Sequence, residues 1–177
     1  MFTDEERKSV FICEHLVLME IKMTAEHNQL EQQAATILGL MLFEYSRLDM
    51  ELGLFLVWSD EGQQLEWLTK KLTNQNLSAR LRLLEKLVQE KYAGSPAVDL
   101  YAAWLNDAHA IRLLRNQLFH GRWGFIPIQQ LVANVIGLPT SPEQSETRYS
   151  IDQLGASLES MRMLRVRLSD LRKKWPV

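Results

Sequence analysis

Residues 94–121 read GSPAVDLYAAWLNDAHAIRLLRNQLFHG, and they decide the fold. Gly94 stops one helix, Ser95 supplies the cap oxygen of the next, and Pro96 takes the first helical position, where its missing N–H costs nothing. From there Ala97, Leu100, Trp104, Ala108, Ile111, Arg115 and Leu118 recur on one stripe at about 100° per residue. The run predicts a helix from Pro96 to Phe119 or His120, with Gly121 at its C-cap. A helix with one long apolar stripe must bury it against other helices.

The flanking sequence supplies them. Thr3 and Glu6 form a capping box ahead of Val10, Phe11, Val17, Leu18 and Ile21, so a first helix is expected to end near Met23. Thr24 caps a second that runs to about Ser59, roughly 50 Å at 1.5 Å per residue. That helix is either central or extends into a partner, and Gly39 and Gly53 mark bends or close crossings. Asp60-Glu61-Gly62 is a break. A short helix over Leu65–Leu72 follows, then Asn74–Asn76 leads into a helix carrying Leu77, Leu81, Leu84, Leu87 and Val88 to Tyr92.

Beyond Gly121 the pattern changes. Pro127, Gly137, Pro139 and Pro142 exclude a long helix, while Leu131–Ile136 reads as a short strand with Thr147–Ser150 as its partner. Ser150 and Gln153 make a second capping box, opening a last helix to about Lys174. Residues 1–177 therefore read as one domain, an all-α, up-and-down bundle of about five helices. Residues 122–149 form an irregular or short-hairpin insertion before the last helix.

Composition narrows the function. A formal net charge of -2 argues against a generic polyanion binder and leaves room for a small basic cleft. One cysteine, Cys13, rules out an intramolecular disulfide and any thiolate zinc cluster. Four dispersed His do not make a metal site, and no cofactor is expected. The acidic start Met1-Phe2-Thr3-Asp4 is unlike a signal peptide, and Glu44, Arg47, Asp49 and Glu51 interrupt the most apolar stretch, so a cytoplasmic protein with no membrane span is expected. There is no Gly-rich phosphate loop, His-Glu-x-x-His helix or nucleophile elbow. Trp58, Trp67, Trp104 and Trp175 read as packing residues.

Arg115 continues the apolar stripe, where an unpaired guanidinium is expensive. Glu44, Arg47 and Glu51 lie together on one side of the second helix, and Glu44 or Glu51 is expected to hold Arg115 or Arg47. His120 shares a different face with Asn116, His109 and Asn106. Arg115 and His120 stand about 140° apart on an ideal helix. They converge only through a bend near Gly121, the reach of Arg115, or a second subunit.

Arg115-Asn116-x-x-x-His120, near the end of a helix, resembles the signature of the HEPN superfamily (higher eukaryotes and prokaryotes nucleotide-binding). The resemblance implies a homodimeric, metal-independent endoribonuclease in which the RNA 2'-hydroxyl attacks the adjacent phosphate and leaves a 2',3'-cyclic phosphate. It casts His120 as general base or acid, Arg115 as the stabiliser of phosphoryl charge, and Asn116 as the residue orienting phosphate or His. Arg122 and Trp123 would add a phosphate contact and a base-stacking surface. RNA and an inhibitor or antitoxin protein are the partners it implies, in a defence or toxin setting. Arg122 stands where members paired with nucleotidyltransferase-like antitoxins often carry Tyr. The other reading of the chain is a noncatalytic helical module that binds RNA or assembles with protein.

Overall fold

The computed structural model describes the backbone of residues 4–177 and the side chains from Lys22 onward. Five helices run through the chain: α1 (Asp4–Val57), α2 (Leu65–Leu72), α3 (Leu77–Tyr92), α4 (Pro96–His120) and α5 (Ile151–Lys174). Between α4 and α5 lie three strands, β1 (Arg122–Ile126), β2 (Leu131–Ile136) and β3 (Ser145–Ser150). The chain is an all-α bundle of five helices with a small sheet before the last.

Where the sequence suggested two helices meeting at Met23 and Thr24, the structure has one α1 of 54 residues. Thr24 lies inside it. No Gly or Pro stands between Lys22 and Ile37, so nothing interrupts the backbone ladder and a cap-type residue alone does not break a helix. The Thr3–Glu6 box and the apolar side chains from Val10 to Ile21 fall outside the described residues.

The other boundaries follow their sequence signals. Asn76 caps α3, its side chain accepting from Ala79 N–H at 3.0 Å. Gly94 stops that segment at φ +76°. Ser150 and Gln153 form a reciprocal box, with Ser150 N–H donating to Gln153 Oε1 at 2.8 Å and Gln153 N–H to Ser150 Oγ at 3.1 Å. Asp60, Glu61 and Gly62 are all left-handed, which reverses the chain after α1.

The chain divides into two compact units, one of residues up to Ile37 with Gly121–Leu154, the other of Leu38–His120 with Gly155–Val177. In the second, the core gathers Met41, Leu48, Leu52 and Leu56 of α1 with Leu81 and Leu84 of α3, Tyr101 and Trp104 of α4, and Met161 and Leu164 of α5. The buried Trp104 indole donates to the Leu164 carbonyl at 2.9 Å, so its polar edge is satisfied inside the core. Leu100 leaves the expected stripe and is exposed.

In the first unit, the strands form an antiparallel sheet in the order β1-β2-β3, with Trp123 opposite Asn134 and Val132 opposite Tyr149. Leu131–Ile136 and its partner appear where the alternation places them. Strand β1 was not foreseen and turns the expected hairpin into a three-stranded meander. The β2 strand supplies the buried Val132, Ala133 and Asn134. The His27 ring meets Phe125 edge-on at 5.2 Å, joining α1 to β1.

Candidate functional site

Arg115 lies where α4 passes α1 and the start of α3. Arg112, Arg115 and Asn116 fall on one side of α4 because residues three and four apart share a helix face. With Tyr45 and Asp49 of α1 and Asn76, Leu77 and Ser78 around the start of α3, they line a cavity of about 320 Å³. The Arg115 guanidinium sits 5.2 Å from the Tyr45 ring centre and 5.4 Å from that of Phe119. Its Nη1 donates to Asn116 Oδ1 at 3.3 Å.

The carboxylate in the cavity wall is already engaged, since Asp49 lies 3.0 Å from Arg80 Nη1. Arg80 is fixed in turn by the Asp49 and Leu72 carbonyls, at 2.8 and 3.1 Å. It also crosses the backbone of Gly53, where an added Cβ would lie 3.1 Å from Nη1. Gly53 thus marks a close crossing, whereas Gly39 has nothing nearby. Burial pushes the Asp49 carboxyl above its ordinary range despite the pull of Arg80. Burial likewise raises the Tyr45 phenol, against the field of Arg115.

The acidic cluster takes other partners. Glu44 holds Arg47 at 2.6 Å, as its place on α1 suggests, and on its other oxygen holds Arg165 of α5, also at 2.6 Å. Glu51 binds the second arm of Arg165, and Arg162 approaches Glu44 at 4.0 Å. Arg115 is therefore not the cation these carboxylates hold. Burial works to raise the Glu44 carboxyl, but the hydrogen bonds and charges of Arg165 and Arg47 outweigh it and hold the group below its ordinary value. Arg165 is not distinguished in the sequence from α5's other cations, which together resemble a solvated face. Its signal was its place one residue after Leu164 in the buried row Met161, Leu164 and Leu168.

Of the motif residues, the structure brings together Arg115 and Asn116. His120 is exposed in the last turn of α4 and is not among the residues lining the Arg115 cavity. Gly121 is not a left-handed cap. It is required by close approach, because a Cβ there would lie 2.3 Å from the side chain of the buried Asn134. Arg122 and Trp123 belong to the sheet-bearing unit. Arg122 donates to Gln144 Oε1 at 2.7 Å, and the Trp123 ring centre lies 6.2 Å from that of Tyr149.

A second feature belongs to the outer side of α1. Leu40, Phe43, Arg47, Met50 and Leu54 succeed one another at alternating steps of three and four residues, and Trp58 follows at the next turn. This stripe stands opposite the buried row of Met41, Leu48, Leu52 and Leu56. Phe43 is 61%, Met50 56%, Leu54 50% and Trp58 60% exposed. Trp58 and Trp67 are thus not the packing residues their composition suggests, whereas Trp104 is fully buried. The segment from Leu40 to Trp58 is apolar on two opposite sides, and only one of them is covered.

Among the described residues no three His, Cys, Asp or Glu side chains gather to hold a metal ion, and no helix is long and apolar enough to cross a membrane. Comparison with protein-family models, with curated proteins and with solved structures finds no match.

Proposed function

We propose that this chain is a helical assembly module that works as a homodimer paired through the outer face of α1. The observation that supports it is the exposed stripe of Leu40, Phe43, Met50, Leu54 and Trp58. A helix apolar on both sides is normally covered on both, and contiguous apolar patches of several hundred Å² mark interaction surfaces. Large apolar and aromatic side chains at this exposure present roughly 500 Å² per copy, about 1,000 Å² for two, the size at which specific interfaces begin.

The stripe matches itself when two copies run antiparallel. Phe43 then lies opposite Leu54 of the second copy and Met50 opposite Arg47. Arg47 is the sole charge on the stripe, and Glu44 of its own helix holds its guanidinium at 2.6 Å. Its aliphatic stem is left to pack, so pairing buries no isolated charge.

This reading is favoured over the ribonuclease because His120 is not among the residues lining the Arg115 cavity, whereas the α1 face is formed by residues of one continuous stripe. It needs neither RNA nor an antitoxin. A cytoplasmic setting suits a chain whose single cysteine, Cys13, can form no intramolecular disulfide. Sedimentation equilibrium on the full chain is the test. A dimer at micromolar concentration, made monomeric by Phe43→Glu with Leu54→Glu while helicity is retained, supports the proposal. A wild-type monomer, or a dimer insensitive to both substitutions, contradicts it.

A further inference from the structure

The geometry points to the Arg112–Arg115 cavity as a binding site for the phosphate group of a small organic phosphomonoester. This inference is independent of the α1 face.

It begins with uncompensated charge. Arg112 and Arg115 stand one helical turn apart and are each partly buried. The Nε atom of each is fully buried without a hydrogen-bond partner. Among the described residues neither is ion-paired with a carboxylate, and Asp49, the acid in the wall, is taken by Arg80 at 3.0 Å. Two partly desolvated cations at this spacing repel one another, an arrangement that an anion relieves.

The facing wall adds to the same field. The 16-residue helix α3 begins there and carries no acidic residue in its first turn, so the positive end of its dipole is unopposed. Ser78 adds a hydroxyl, and Asn76 and Asn116 add amides at the lining. Arg115 is held in place by the rings of Tyr45 and Phe119 rather than by an acid, which leaves its guanidinium charge unneutralised.

Charge and size select the ligand. Two guanidinium groups and a helix N-terminus match a dianion better than a carboxylate, and the forked donors of arginine suit phosphate oxygens. At about 320 Å³ the cavity exceeds a bare phosphate and falls at the small end of small-molecule sites. Tyr45 offers a ring against which a compact organic body can rest.

Isothermal calorimetry on the full chain, with phenyl phosphate, inorganic phosphate and benzoate as probes, tests the site. Phenyl phosphate is expected to bind at least tenfold more tightly than benzoate, with inorganic phosphate between them. Arg112→Gln and Arg115→Gln are each expected to weaken phenyl phosphate at least tenfold, and Arg122→Gln to leave it unchanged. Ser78→Glu places a carboxylate in the first turn of α3, where it suits the helix, and is expected to abolish binding even if an arginine variant fails to fold. No phosphate binding at millimolar concentration, or equal affinity in wild type and Ser78→Glu, overturns the proposal. Tight binding of a short single-stranded RNA with no response to phenyl phosphate also overturns it, in favour of an RNA interface.

Discussion

Arg165 of α5 clasps Glu44 of α1, Nη1 to Oε2, at 2.6 Å, and the carboxylate it holds is almost entirely buried. Removing the cation leaves that carboxylate with Arg47 at 2.6 Å and the more distant Arg162 at 4.0 Å, both on its other oxygen. Arg165→Met is expected to destabilise the helical unit by about 3 kcal/mol, the cost of breaking a largely buried pair from one side. Urea unfolding of the two proteins checks it. The double variant Arg165→Met with Glu44→Leu is expected to recover part of the loss, because it removes the buried carboxylate and leaves only the more exposed Glu51 without Arg165.

The same pair sets a pH dependence. The Glu44 carboxyl is held below its ordinary value of 4.5 in the folded chain. Its contribution to stability is therefore full above pH 4.5 and is lost as the pH falls through that value towards the lower folded one. Unfolding free energy is expected to drop on acidification below pH 4.5, and Glu44→Gln to flatten that drop. An equally steep acid limb in Glu44→Gln would assign the effect to other carboxylates.

Gly121 and Asn134 make a steric prediction within the sheet-bearing unit. A Cβ at position 121 would lie 2.3 Å from the Asn134 amide, so Gly121→Ala is expected to cost about 1–3 kcal/mol, as overpacking does in a filled site. Asn134→Ala removes the obstructing group. In a double-mutant cycle the two substitutions together are expected to cost less than their sum, whereas strict additivity would show that Gly121 serves another purpose.

His120 supplies the chemical contrast. In EDTA, a mixed pool of structured and single-stranded RNA is expected to stay intact with wild type, and His120→Ala to leave dimerisation and phosphate binding unchanged. Cleavage leaving 2',3'-cyclic phosphate ends, lost in both His120→Ala and Arg115→Ala, would restore the ribonuclease reading of the motif.

Much of the fold was legible because local chemistry agreed with tertiary structure. The Ser150–Gln153 box, the Asn76 cap, Gly94 before Pro96 and the left-handed Asp60-Glu61-Gly62 break each act within a few residues. The failures have physical causes too. Thr24 has the chemistry of a cap, yet helix propagation past one threonine costs little, so α1 continues. Strand β1 is signalled only by the strand preference of Trp123, Phe125 and Ile126, which Gly124 and Pro127 weaken. Long-range pairing was the least legible. Glu44 and Arg165 are 121 positions apart, and no local pattern joins them. The outer stripe of α1 was also missed, because a segment apolar on two sides reads in sequence simply as apolar.

Register tests the self-pairing of α1 most directly. With Cys13 replaced by Ser, Phe43→Cys and Leu54→Cys on the same chain should lie opposite one another only across an antiparallel dimer. On mild oxidation the double variant is expected to run as a covalent dimer, and a control carrying Phe43→Cys alone to remain a monomer on a denaturing gel. A double variant that stays monomeric, or a Phe43→Cys control that cross-links as readily, would contradict antiparallel pairing through this face.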